Sequence, residues 1–264
     1  MKYYKWFNKN TSSLRGKTVA VSGATGGIGV CVCEYLAYLG ANIVCLDRNA
    51  QKSNKLIDNL KVKYPSLNAK HITLDLENMN QVKSVVESLK QIDIDYLILN
   101  AGAYKIPRHK CDTGFDNVFQ INFVSPYYLA RELAPLIKQK GGRVVAVSSI
   151  AHNYSKIDEN DDNDKTLSVV HPGITFTNIT NHYPKLIFTL IKHPMKIIFM
   201  KPKKAALCVI LGLFQGCKSN EWIGPRVFNI WGLPNKKKLN TATYNESLLI
   251  GEISDEIYKK QTVI

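Results

Sequence analysis

Between residues 17 and 149 the chain alternates short apolar runs with longer segments in which apolar residues recur every three or four positions. The short runs are "KTVAVS" (17–22), "NIVCLD" (42–47), "KHITLD" (70–75), "DYLILN" (95–100) and "GRVVAVSS" (142–149). Apolar almost throughout, they predict strands buried on both faces. The longer segments predict helices: "VCVCEYLAYLGA" ending at Gly40, "NAQKSNKLIDNLKVKY", "NMNQVKSVVESLKQI", and a long one from about Thr113 to Lys140. Strand and helix in alternation predict an α/β domain, a doubly wound parallel sheet covered by helices on both sides. No internal repeat or low-complexity linker divides the chain. We therefore expect a single domain over residues 15–264, with a basic arm over 1–14 and a C-terminal helical tail.

Candidate chemistry enters at the turn after the first strand. In "SGATGGIG", Gly23, Gly27 and Gly29 lie directly between a strand and a helix. A tight turn there lets backbone N–H groups approach a pyrophosphate at the helix N-terminus, where the helix dipole favours an anion. Asp47 ends the second strand, where a carboxylate can accept hydrogen bonds from an adenosine ribose. Arg48 beside it suits a ribose 2′-phosphate instead. NAD and NADP both stay open, with NAD preferred on the strength of Asp47. Asp75-Leu76 follows the third strand and Asn100-Ala101-Gly102 the fourth, at the carboxyl ends of strands where ligands bind in this architecture.

Taken in order, Gly23-x-x-x-Gly27-x-Gly29, Asp75-Leu76, Asn100-Ala101-Gly102, Asn122 in "FQINF", Ser148-Ser149 and Pro172-Gly173 resemble the motifs of the short-chain dehydrogenase/reductase family. The resemblance runs from about Leu14 to at least Thr180, closest to the branch of retinol dehydrogenases and protochlorophyllide reductase. It implies a Rossmann fold and an NAD(P)-dependent oxidoreductase that moves a hydride between nicotinamide and a carbonyl/alcohol substrate. In that scheme the turn from Ser22 and Gly23 through Thr25, Gly27, Ile28 and Gly29 holds the pyrophosphate. Asp75 and Leu76 border the adenine, and Asn100, Ala101 and Gly102 line the cofactor floor. Pro172, Gly173, Ile174 and Thr177 close on the nicotinamide. Ser149 meets the substrate oxygen, and Asn122 helps to hold a water for proton relay. Ser22 stands where the family usually has Thr, which keeps a hydroxyl.

One part of the family pattern is missing. The proton donor there is a Tyr whose pKa is lowered by a Lys four residues on, a spacing that puts both side chains on one helix face. None of the 13 tyrosines is followed by Lys at that distance; after Tyr154 come Lys156 and Asp158. The 17 residues between Ser149 and Leu167, "IAHNYSKIDENDDNDKT", show no helical period, and their acidic run competes for backbone hydrogen bonds. They predict a loop, so the sheet is expected to lack the helix between strands five and six and to expose apolar surface there. Two readings follow: an oxidoreductase missing one element, or a catalytically dead nucleotide-binding or interaction module.

Composition narrows the setting. At 264 residues, 45% hydrophobic, the chain can bury the core of one large domain. Its +14 charge, 35 Lys and Arg against 21 Asp and Glu, raises nucleic acid or an anionic membrane as partners. No aromatic-interleaved basic motif accompanies it, so no nucleic acid is expected. The stretch from Tyr183 to Phe214 is both basic and apolar. It reads as an interfacial membrane helix or as a substrate lid around 180–202 followed by a core helix from Pro202; Pro194 and Pro202 favour the lid. "WIGPRVFNIWG" (222–232) predicts a closing strand that could face a second subunit in a homo-oligomer, and "NKKKL" a solvated turn. His171 reads as a hydrogen-bonded structural residue. The six cysteines form no Cys-x-x-Cys pair and read as buried hydrophobes, with no metal site expected. With no apolar leader segment and no run of about 20 apolar residues, a cytoplasmic protein is expected.

Overall fold

The computed structural model describes residues 3–104, 106–148, 167–173, 200–218, 220–238 and 254–262. Eight strands form one sheet in the order β3-β2-β1-β4-β5-β6-β7-β8. They are β1 (Thr18–Ser22), β2 (Asn42–Asp47), β3 (Ala69–Thr73), β4 (Tyr96–Leu99), β5 (Arg143–Val147), β6 (Leu167–Val170), β7 (Glu221–Val227) and β8 (Trp231–Lys238). The first seven run parallel, and β8 returns antiparallel along β7. The sheet reverses direction between β1 and β4, the switch point of a doubly wound Rossmann arrangement.

Each strand serves two cores by alternation. Val19 and Val21 of β1, Ile43 and Cys45 of β2, Ile98 of β4 and Val145 of β5 face one side. There they meet α1 (Tyr4–Asn10), α2 (Gly27–Leu39), α3 (Ala50–Lys63) and, further along the chain, a helix over Pro202–Phe214. Ala20, Val44, Leu46, Leu97, Leu99 and Val144 face the other side, covered by α4 (Met79–Ile92) and α6 (Ser125–Gln139). Helix boundaries follow local chemistry. Asn49 and Asn78 cap α3 and α4 by accepting from Lys52 N–H and Gln81 N–H, and α2 ends at Gly40, whose φ of 82° suits glycine.

Four expectations need correction. The N-terminal residues are not simply an arm: α1 docks through Phe7, fully buried, which stacks on Tyr35 at 5.0 Å and meets Tyr38 edge-on at 5.8 Å. The long helix starts later than Thr113. Asp116 caps it by accepting from Val118 and Phe119 N–H, after a turn in which Gly114 has a φ of 81°. It then runs through α5 (Asn117–Phe119) and a π-turn (Gln120–Val124) before α6, with Ser125 N–H reaching back to Gln120 O. The three lysines of "NKKKL" lie in β8, where Lys237 sits over the Trp222 ring at 5.3 Å and lysines guard the sheet edge. The apolar residues of strands five and six are not exposed either, Val144 and Val169 being buried and Ala146, Val147 and Leu167 half-buried, while the link between the two strands, where no helix is expected, lies outside the described residues.

The pairing of β5 with β6 is parallel, Val144 opposite Leu167, as their motifs require. The helix over Pro202–Phe214, α7, lies against both: a Cβ at Gly212 would stand 2.9 Å from Val170 and 3.0 Å from Val145. The expected core helix from Pro202 is therefore present. The expected lid falls mostly on residues 174–199, outside the described residues. Residues 254–262 form a C-terminal helix, in which Tyr258 donates to Glu132 of α6. Among the described residues no helix is long and apolar enough to cross a membrane.

Two measurements test these packing claims. Phe7→Ala should lower stability by about 3–5 kcal/mol in urea denaturation, the usual cost of emptying a buried aromatic site; a loss near zero would return residues 1–14 to an arm. Asp95 is buried, which alone would push its carboxyl up. The Thr18 N–H at 2.9 Å, the Lys17 ammonium at 2.9 Å and nearby Lys140 outweigh this and hold it below the usual range. With the folded value depressed, its contribution is complete above the unfolded carboxyl value of about 3.9 and is lost as pH falls through the folded one. Acid titration of stability should show this loss, and Asp95→Asn should flatten it.

Candidate functional site

Parallel register brings the predicted motifs to one edge. Ser22 lies opposite both Leu46 and Leu99, Leu99 opposite Ala146, and Ala146 opposite Val169. The residues that follow, Gly23, Asp47, Asn100, Ser148 and His171, thus rim a single cleft at the carboxyl ends of the strands.

Gly23 has a φ of 65°, and a Cβ there would stand 2.9 Å from Ala101 Cα. At Gly29 a Cβ would fall 2.1 Å from Gly23 O, so glycine is required for the helix to approach the strand end. Gly27 and Ile28 open α2, whose N-cap residue Gly26 offers no side-chain hydrogen bond. First-turn N–H groups have no partner within a helix, so this turn presents donors of the kind a phosphate takes. The Ser22 hydroxyl oxygen accepts from Asn100 N–H at 3.0 Å and Ala101 N–H at 3.1 Å. In return the Asn100 side-chain amide donates to Ser22 O at 3.2 Å and Gly23 O at 2.9 Å. The glycine turn and the Asn-Ala-Gly floor are one hydrogen-bonded unit.

Asp47 is used differently from the expectation. Its carboxylate is 5% exposed and turned inward. Oδ1 accepts from Thr25 N–H at 3.1 Å and Thr25 Oγ1 at 2.9 Å, and Oδ2 accepts from Ser53 Oγ at 2.9 Å. Thr25 therefore braces the turn through Asp47. Arg48 points outward with its side chain 72% exposed, 3.7 Å from Glu77.

Asn122 lies in the π-turn, a distortion that recurs at functional sites. Its Oδ1 accepts from Ala103 N–H and its Nδ2 donates to Ala103 O, both at 2.8 Å, and Oδ1 is close enough to Gly102 to crowd any Cβ there, at 3.2 Å. Asp75 holds its own turn by accepting from Glu77 N–H. Leu76 is buried, and its carbonyl accepts from Ser125 Oγ at 2.6 Å. At the far side His171 is buried, with its N–H on Ile223 O and Nδ1 3.4 Å from Ser148 O, which suits a structural histidine. Pro172 is buried beside it, and Gly173 turns at a φ of 78°. Ser149, Ile174 and Thr177 lie outside the described residues.

Sequence reasoning missed Ser53, Ser125 and Ala103, which hold candidate residues in place. Ser53 and Ser125 are small residues close to a helix N-terminus, and Ala103 follows the Asn-Ala-Gly motif; these were the signals they gave. Four of the described tyrosines are poorly suited to replace the missing donor. Burial pushes Tyr35, Tyr127, Tyr128 and Tyr258 up, Tyr258 to about 12 with help from the Glu132 carboxylate it bonds. A tyrosine primed for proton transfer moves the other way.

Ser22→Ala should leave two backbone donors without an acceptor and cost about 1–3 kcal/mol. Ser22→Thr, keeping the oxygen, should cost less; equal losses in thermal or urea unfolding would refute the role given to the hydroxyl.

The sequence profile of the short chain dehydrogenase family matches residues 17–159. The WW domain-containing oxidoreductase of Drosophila melanogaster is 32% identical over 148 residues, 54% of this chain and 36% of the relative. The chain spans less than half the length of the curated relatives it matches. Among solved structures, an uncharacterised protein from Mycobacterium paratuberculosis is 19% identical with a TM-score of 0.69, over 96% of this chain and 97% of that one. A short-chain dehydrogenase from Sphingobium yanoikuyae in complex with NADPH is 22% identical with a TM-score of 0.53, over 62% and 74%. The glycine turn, its lock onto Asn100 and Ala101, and a family match over more than half of its length establish that this chain belongs to the short chain dehydrogenase family.

Proposed function

We propose that the cleft binds NADP(H) and that the protein is an oxidoreductase transferring a hydride between nicotinamide and a small carbonyl/alcohol substrate. The observation that carries this is the contact of Gly29 with Gly23 O beneath the uncapped start of α2. Such a contact lets a pyrophosphate reach backbone donors. That the Sphingobium relative holds NADPH in a fold of this kind supports the reading.

The choice of the phosphate-bearing cofactor departs from the preference drawn from Asp47 in the sequence. With three hydrogen bonds from Thr25 and Ser53 on its two oxygens and the residue buried, the Asp47 carboxylate has little capacity left for ribose hydroxyls. Arg48 is exposed at the same strand end, and a guanidinium favours a 2′-phosphate. Ser149 and Asn122 are the residues we assign to the substrate oxygen and the proton relay. Six unpaired cysteines support a reducing, cytoplasmic setting.

When bound, the cofactor would supply the hydride in its reduced form and accept it in its oxidised form. The chain's part is to orient it: Ser22 and Asn100 fix the floor, and Asn122 fixes the Ala103 backbone beside it. The absence of a Tyr with Lys four residues on leaves the proton donor unassigned.

Titration of the full chain with NADPH and NADH, read by fluorescence or thermal shift, should give a response, stronger for NADPH. Arg48→Ala should weaken NADPH roughly 10- to 100-fold, the worth of a charge-assisted hydrogen bond, and leave NADH nearly unchanged. No response to either nucleotide would sink the assignment. Steady-state reduction of a carbonyl panel tests turnover separately, and binding without turnover would move the protein to the nucleotide-binding module read as the alternative.

A further inference from the structure

The loop between β4 and α5 carries ligand-type side chains that the cofactor reading does not use. Residues 109–117 fold back on themselves as a small antiparallel hairpin. Asn117 N–H donates to His109 O at 2.9 Å, Cys111 N–H donates to Phe115 O at 2.9 Å, and the backbones of Lys110 and Asp116 pair as an antiparallel β-bridge. His109 and Cys111 are two positions apart on one arm of it, which directs their side chains to the same face.

Glu77 reaches that face from a separate turn, also held by its backbone. Its N–H donates to Asp75 Oδ1 at 3.0 Å, and Asn78 N–H donates to Asp75 O at 3.2 Å just before α4 begins. The ligand atoms of Glu77, His109 and Cys111 all lie within 4.8 Å of one another, with Glu77 Oε2 and His109 Nε2 at 3.0 Å.

We propose that Glu77, His109 and Cys111 form a binding site for Zn²⁺, with a fourth position open to water. Sulfur, imidazole nitrogen and carboxylate oxygen are the donors zinc takes, and at bond lengths of about 2.0–2.3 Å a tetrahedral set stands roughly 3.3–3.7 Å apart. Side-chain shifts of about an ångström bring the present spacing, 3.0 Å for the carboxylate and imidazole and within 4.8 Å for all three ligand atoms, to that value. The mixed donor set separates this corner from a solvated acidic cluster: a thiolate supplies the softness that calcium and magnesium sites do not use. His109 is 56% exposed, so an ion has a path in. Glu77 also has Arg48 at 3.7 Å, a neighbour able to orient the carboxylate behind the metal. Bound metal would fasten the β4–α5 loop to the turn ahead of α4. The site stands whether or not the cleft takes a nucleotide.

The test is titration of the reduced, metal-free full chain with Co²⁺ and then Zn²⁺. One equivalent of Co²⁺ should bind and give a near-ultraviolet thiolate-to-cobalt charge-transfer band, which Zn²⁺ then bleaches. Cys111→Ser should remove that band, and Cys31→Ser should keep it. Glu77→Gln and His109→Gln, both surface changes whose fold is checked by far-ultraviolet circular dichroism, should each weaken Zn²⁺ at least about tenfold, since even loss of a residue behind a ligand costs that much. Absence of stoichiometric binding overturns the proposal, as does a band that survives in Cys111→Ser or undiminished affinity in the Glu77→Gln, His109→Gln double variant.

Discussion

Two backbone segments at the mouth of the sheet lie too close for any side chain between them. A Cβ on Gly29 would fall 2.1 Å from Gly23 O, and one on Gly23 would fall 2.9 Å from Ala101 Cα. The start of α2 is thereby drawn against the end of β1, and the end of β1 against the loop after β4. Close packing of this kind removes water and side-chain bulk from the point where helix donors and strand ends meet. The remaining polar groups must then satisfy one another within the cleft, which explains why so many side chains there bond to backbone.

Those bonds form a chain of supports. Ser22 ties β1 to the Asn100 loop, Asn122 ties that loop to the π-turn, and the π-turn is tied back to the third strand's loop through Gln120, Ser125 and Leu76 O. The π-turn has a role in this geometry. One extra residue in the turn re-aims the positions around it, and Asn122 is the residue that meets Ala103 at both its donor and its acceptor. Pro126, next to Ser125, has no N–H to give, so the helix loses one regular bond at the place where the register changes.

Elements held by long-range apolar pattern were legible in the sequence. β1, β2, β4 and β5, with the helices ending at Gly40 and beginning near Pro202, follow from periodicity because burial on two faces leaves few alternatives. What was not legible depends on partners distant in sequence. The docking of Phe7 needs Tyr35 and Tyr38. The strand at Lys236 to Lys238 needs β7 to pair with, and local charge suggests a turn there. The candidate site divides the same way. The glycines and Asn100 announce themselves by spacing, while the inward turn of Asp47 depends on Ser53, and the cluster at His109 and Cys111 depends on Glu77, more than thirty residues earlier.

Glu77 is the residue at which the turn after β2 and the loop between β4 and α5 meet. Its Oε1 lies 3.7 Å from Arg48 and its Oε2 3.0 Å from His109. An exposed pair at that longer distance is worth about 0–1 kcal/mol, so it binds Arg48 only loosely. On the proposed NADP(H) reading, a doubly charged 2′-phosphate would offer the guanidinium two hydrogen bonds at once and win that competition. Whatever holds Glu77 on its His109 side further reduces its pull on Arg48. The carboxylate that the sequence made prominent at this rim, Asp47, is meanwhile spent inside the glycine turn. On the proposed reading, selection at the ribose falls to the contest between Arg48 and Glu77, two side chains that sequence alone had no reason to place together.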